Sequence, residues 1–341
     1  MREIVIVLSD LYLPPDLEAE GPGPAPIGAG AATLPAIERV TRFATTEPLT
    51  EGWRGWVARW LGLPEYAQRP VASVAAAAQE VPAAPACWLA TPLHLIEGLT
   101  RVHVDWRCLL RLERAEQDRL AADFKETFRG SGFELIGLES GEFLLIAPPL
   151  APTQTTEPAR LPRTPMAESL PGGAGAPALR RLGAEIEMWL HAHPLNIERV
   201  RRGEPSVSTL WVWGGGQAPE VAAGARCASH AVFGSEAYVR GLCRLAGLES
   251  EPMPAEWPAV EASHALCILS IADGLRSDAG AGLLEVLTEL DRRVIAPAVE
   301  ALRGGHLDRL VLLANDRCWS VRAADRWRLW RRKRAGLEAL A

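Results

Sequence analysis

Between His193 and Gly216 the chain reads HPLNIERVRRGEPSVSTLWVWGGG. His193, Asn196, Arg199, Arg201 and Arg202 are followed by three consecutive glycines, Gly214, Gly215 and Gly216. By residue type this is anion chemistry. Guanidinium forks, the partial positive charge of a helix N-terminus and exposed backbone N–H groups together make a cradle for phosphate or carboxylate. The same residues also suit a basic surface turn followed by a tight loop between strand and helix, because motif matches carry false positives.

A second set is spread through the chain. EIVIVL (Glu3 to Leu8) is followed by Ser9-Asp10, the apolar run Ala265 to Ile271 by Ala272-Asp273, and Leu310 to Leu313 by Asn315-Asp316. Continuous apolar runs of this kind are central parallel strands. Their carboxyl ends share one edge, where open α/β sheets bind ligands. Asp10, Asp273 and Asp316 are therefore candidate ligands for a divalent metal. Aspartates at strand ends also cap helices and form turns.

The elements that must position these groups follow from periodicity. Leu179, Leu182, Ile186 and Leu190 give a helix an apolar face, which His193-Pro194 stops because the residue before proline avoids the α region. Asn196 is placed to cap a short helix, and Ser208 to Trp213 reads as a buried strand leading into the glycines. Helices are expected over Leu34 to Phe43, Trp53 to Leu61, Arg114 to Phe128 and Ser235 to Leu245, with a longer one carrying Leu283, Leu287, Leu290 and Val294. Phe133 to Leu138 and Phe143 to Ile146 suggest a hairpin, and Pro14 to Ala32 a Pro/Gly/Ala loop. The pattern divides into a first core part (1–80), an inserted α+β unit (86–147), a linker (148–177) and the remaining core (178–341).

A net charge of −6 argues against a general nucleic-acid binder, and no specific nucleic acid is expected. The six scattered cysteines lack CxxC spacing, and neither a leader nor an ~18-residue apolar span is present, so a cytoplasmic protein with no membrane span is expected. The sign reverses at the end: Arg317 to Arg334 carries eight Arg and Lys residues against Asp325 alone. With Trp327 and Trp330 three apart, this reads as a basic C-terminal helix for an acidic partner, or as a solvated helix packed by its tryptophans.

The His193–Gly216 block, followed by HAVFGSEAYVRGLCRLAGLE (His230 to Glu249), resembles the archaeal-type cofactor-independent phosphoglycerate mutases of the alkaline phosphatase superfamily. Ser270 to Asp278, LEVLTELDRRVIAPAVEAL and LVLLANDR are similar to that family's metal-site strands and long helix, and EIVIVLSD to its first strand. A narrower resemblance, including EIEMWLHAHPLN, is to bacterial RpfE-type regulatory proteins, which implies regulation of virulence factors or exopolysaccharide. The resemblance implies an alkaline-phosphatase-like α/β fold: a mostly parallel sheet with helices on both faces and a small insertion. It also implies two metal ions held by aspartates and histidines, and a serine that carries the phosphoryl group.

Departures from the family pattern bear on that chemistry. Asp10, Asp273 and Asp316 match its aspartates, but Arg317 stands where a histidine should follow Asp316, and DGLRSDAG has Ser277 near the place of another. Gly52-Trp53-Arg54 occupies the place of the Gly-Ser-Asp nucleophile. Trp53 has no hydroxyl; Thr46 and Thr50 are the nearby ones, and Thr50 is the better candidate. A phosphoseryl mechanism needs a metal-activated hydroxyl. The expectation is a degenerate, non-catalytic regulatory protein that binds a phosphorylated small molecule; the alternative is an active metal-dependent mutase or phosphatase. No cofactor is assigned beyond Mn²⁺ or Mg²⁺ at a surviving aspartate site, and Arg317 is a candidate stand-in cation paired with Asp10 and Asp273.

Overall fold

The computed structural model describes residues 2–13, 33–79, 86–97, 102–216, 230–254, 263–277, 281–327 and 334–341. The expected 14–32 loop lies outside them, and so do Asp278 and Trp330. Thirteen strands are described. They are β1 (Glu3–Leu8), β2 (Thr45–Pro48), β3 (Ala86–Leu93), β4 (Ile96–Glu97), β5 (Val102–His103), β6 (Glu134–Gly137) and β7 (Phe143–Ala147), then β8 (Thr209–Gly216), β9 (His230–Phe233), β10 (Ser250–Glu251), β11 (His264–Leu269), β12 (Arg309–Ala314) and β13 (Arg317–Arg322). The chain separates into two compact units: 1–67 with 225–235 and 248–341, and 68–224 with 236–247.

The first unit is an α/β layer on a seven-stranded sheet of order β10-β9-β11-β1-β12-β13-β2. β10, β9, β11, β1 and β12 run parallel, and β13 and β2 close the edge antiparallel. All six residues of β1 are buried, as a central parallel strand requires. Leu8 pairs with Leu269 and Val7 with Leu313, so Asp10, Asp273 and Asp316 leave the sheet at one carboxyl edge. Asp291 fastens the helix Pro35–Phe43 by accepting from Ala36 N (3.1 Å) and Ile37 N (2.6 Å), which satisfies N–H groups that a helix start leaves open. Buried Glu38 then reaches the C-terminal segment by accepting from Gly336 N at 2.9 Å.

The second unit is a four-stranded antiparallel sheet, β6-β7-β3-β8. Its residues alternate between two faces, as a pleated strand dictates. Trp88, Ala90, Phe143, Leu145, Leu210 and Val212 pack with Leu179, Leu182, Ile186 and Leu190 of the helix Ala176–His191. Cys87, Leu89, Leu144 and Trp213 pack with Ala72, Ala75 and Ala237 on the other side. β8 is why this unit is larger than the expected insertion of 86–147: it hydrogen-bonds to β3 and draws residues 178–216 in with it.

The basic tail also differs from expectation. Arg317–Arg322 is strand β13 rather than the start of a helix. Cys318, Trp319 and Val321 are buried while Arg317 and Arg322 are exposed. Strand pairing on both sides, to β12 and to β2, supplies hydrogen bonds that an isolated basic helix does not have. The reversal from β12 to β13 runs through Asn315 (φ 46°) and Asp316 (φ 56°), left-handed residues of the two types that tolerate this region best.

Candidate functional site

At the carboxyl edge of the first unit, Asp10 is 7% exposed and fully engaged. Its Oδ1 accepts from Ile271 N (2.7 Å), and its Oδ2 from Ala272 N (2.8 Å) and Ser270 Oγ (2.9 Å). The carboxylate thus caps the helix Ile271–Ser277 from the neighbouring strand. Burial pushes its pKa up; the three donors oppose this, and nearby Asp273 adds to the rise. Asp273 itself is ion-paired with Arg276. Asp316 sits in the left-handed turn, and its carbonyl accepts from Leu49 N at 2.8 Å.

Trp53 lies at the same edge. It is 4% exposed, at the start of the helix Gly52–Trp60, and its indole Nε1 donates to the Ser9 carbonyl at 3.0 Å. A buried indole is therefore bonded to the main chain of the residue preceding Asp10. Thr50 is exposed just before that helix. Arg317 forms no ion pair with Asp10 or Asp273 among the described residues; its side chain lines a cavity with Arg42 and Thr46. These residues do not fit a two-metal centre. Both Asp10 oxygens are committed to protein donors, and among the described residues no three His, Cys, Asp or Glu side chains are grouped to hold a metal.

In the second unit, His193 caps the helix Pro194–Arg201, with Nδ1 accepting from Leu195 N (3.2 Å) and Nε2 3.1 Å from Asp123 Oδ2. Burial holds its pKa below the usual histidine value, against the pull of Asp123. Asn196 uses its whole amide on backbone: Nδ2 donates to Leu190 O and Val207 O, and Oδ1 accepts from Val207 N, all at 2.8 Å. Arg199 is 6% exposed and grips both oxygens of buried Glu116 (2.8 and 2.7 Å) while its Nε donates to Pro205 O. Arg202 donates to the same Glu116 (2.7 Å) and to both oxygens of Glu204 (2.9 and 2.8 Å). Arg201 alone of the three is exposed with no carboxylate partner among the described residues.

The glycines stand elsewhere. Val207 bonds to Asn196 two residues before β8, whereas Gly214–Gly216 end that strand. Seven steps at ~3.3 Å each separate them by roughly 23 Å, too far for one phosphate to meet both. Gly214 has φ 62°, and a Cβ on Gly215 would lie 1.9 Å from the Trp88 ring. At this position the glycine admits an indole, not a ligand.

One cluster escaped the sequence reading. At the amino edge of the first sheet, buried Glu3 accepts from Trp60 Nε1 (3.0 Å) and lies 3.0 Å from the Arg309 guanidinium. His264 Nδ1 is 3.6 Å from it, and the His264 ring stacks on His230 (centroids 4.9 Å). The signal was present: HAVF and HALCIL each begin on a histidine, and parallel pairing puts His230 opposite His264. The described cysteines Cys87, Cys108, Cys243, Cys267 and Cys318 are buried thiols, and no described helix is long and apolar enough to cross a membrane.

Over 70 residues the chain is 33% identical to 2,3-bisphosphoglycerate-independent phosphoglycerate mutase of Methanosarcina barkeri. The chain is distantly homologous to that enzyme. The match covers 20% of this chain and 18% of the mutase. No family model matches. Among solved structures, the cofactor-independent phosphoglycerate mutase from Thermoplasma acidophilum aligns over 94% of this chain and 90% of that one, at 15% identity and a TM-score of 0.37. The PH0037 protein from Pyrococcus horikoshii aligns over 99% and 92%, at 15% identity and 0.47.

Proposed function

We propose that this chain is a non-catalytic phosphoglycerate mutase-like protein, a regulatory protein of the RpfE type that binds a phosphorylated metabolite. The observation that carries the reading is Trp53. It stands at the position matched to the nucleophile, and its indole is buried and bonded to the Ser9 carbonyl. Transfer through a covalent phosphoryl intermediate needs a side-chain nucleophile, and an indole is not one. Asp10 supports the same reading, because a carboxylate that closes a helix start with three donors holds the fold rather than a cation.

The test is an assay of the full chain for interconversion of 2- and 3-phosphoglycerate with Mn²⁺ or Mg²⁺ supplied, beside a calorimetric titration with each ion. No turnover and no pair of tightly held ions is the expected result. Asp10→Ala should cost about 2–3 kcal/mol of stability, since buried backbone donors lose their acceptor. Turnover that disappears in Thr50→Ala would overturn the proposal and establish the catalytic alternative.

A further inference from the structure

The first unit contains a cavity of about 340 Å³ that nothing above uses. Its lining includes Thr41, Arg42, Thr46, Arg317, Trp319 and Arg334. The arrangement follows from the fold. Arg317 and Trp319 are two apart on β13 and so share a face, and Trp319 is the register partner of Thr46 on β2. Thr41 and Arg42 come from the last turn of the helix Pro35–Phe43. Arg334 comes from the C-terminal segment, which two bonds secure: Gly336 N to Glu38, and Asn315 Nδ2 to Leu340 O (2.9 Å). Ala339 and Leu340 are buried in that segment. The walls are therefore built by packed elements.

The lining is basic. Arg317 is exposed and has no carboxylate partner among the described residues. Arg334 donates to the Ala341 oxygen at 3.2 Å, and Ala341 also lines the cavity. Guanidiniums gathered at a concave surface raise the local potential and favour an anion with several acceptor oxygens, phosphate above all. The remaining lining suits an organic body. The Thr41 hydroxyl donates to the Ile37 carbonyl (3.0 Å), so its oxygen is left as an acceptor for a ligand hydroxyl. Trp319, 3% exposed, supplies an apolar floor. The volume lies at the small end of ligand sites, about 300–1,000 Å³, which excludes dinucleotides.

We infer that this cavity binds a small hydroxylated phosphomonoester, its phosphate on Arg317 with Arg42 and Arg334, and its hydroxylated carbon chain against Thr41, Thr46 and Trp319. The inference deepens the binding-protein reading and rests on it for its biological sense.

The experiment is a calorimetric titration of the full chain, at constant ionic strength, with ribose 5-phosphate, inorganic phosphate and ribose as probes. Ribose 5-phosphate should bind at one site, inorganic phosphate more weakly, and ribose not measurably. Arg317→Gln should weaken ribose 5-phosphate by about tenfold or more, the loss of a charge-assisted contact. Arg42→Gln should weaken it in the same direction, and Arg201→Gln should leave it unchanged. No binding of ribose 5-phosphate, equal affinity in Arg317→Gln, or a loss in Arg201→Gln instead would overturn the inference. Phosphoglycerate turnover measured on the same samples separates the two proposals. Turnover with Arg317-dependent binding intact sinks the non-catalytic reading and keeps the cavity; absent binding without turnover sinks the cavity alone.

Discussion

Two regions of this protein gather arginines, and they use them in opposite ways. In the second unit Arg199 and Arg202 converge on buried Glu116, with Glu204 at the side, so the positive charge is matched within the fold. In the first unit Arg42, Arg317 and Arg334 line a cavity, and Arg317 there has no described carboxylate partner. The first arrangement is a structural clamp between the helix Arg114–Thr127 and the turn after the helix Pro194–Arg201. In the second, the guanidiniums line the cavity wall without converging on a described buried carboxylate. A run of basic residues is thus no evidence for an anion site until its internal counter-ions are known.

The comparison breaks first at Arg199. Removing Arg199 leaves buried Glu116 with the half-exposed Arg202 as its remaining cation, so Arg199→Met should destabilise by up to about 3–5 kcal/mol in urea unfolding. Adding Glu116→Leu should recover much of that loss, because two apolar groups replace a buried pair with little net cost. If Arg199→Met costs less than about 1 kcal/mol, the clamp is not structural.

A smaller effect concerns pH. His193 faces Asp123, with Arg119 and Glu198 nearby, and burial depresses its pKa below the usual 6.5. The unfolded chain then takes up the proton first as pH falls. His193 contributes stability that is fully present above about pH 6.5 and is lost as pH drops through the lower folded value. His193→Gln should flatten the stability profile on the acid side of pH 6.5. A slope identical to that of the parent would show that the ring does not titrate between the two states.

The smallest effect is expected in the cavity. Arg317→Gln should change stability by no more than about 0.5 kcal/mol, since the residue is exposed and carries no ion pair. A larger loss would mean that Arg317, like Arg199, has a structural counter-ion, and the contrast between the two regions would vanish.

Much of the fold was legible in the sequence. The continuous apolar runs of β1, β11 and β12 became adjacent parallel strands, and their aspartates share one edge. The helix carrying Leu179, Leu182, Ile186 and Leu190 buries that face. β2 and β13 were missed because TTEP and RCWSVR are short and partly polar, and they are strands only by virtue of pairing with each other and with β12. Asn196 was expected to cap the short helix, yet His193 does so, freeing Asn196 to tie Leu190 to Val207.

Sequence alone determined the types of the strongly periodic elements, the shared edge of Asp10, Asp273 and Asp316, and the absence of a hydroxyl at position 53. These follow from backbone periodicity and residue chemistry, which are local. Tertiary structure decided what the charges do. Arg199 and Glu116 are 83 residues apart, and Asp10 lies 260 residues from Ser270. Whether such groups meet depends on which faces pack together, and no local pattern of residues encodes that. The same packing left Arg317 lining a cavity rather than paired with Asp10, while Arg199 became internal support.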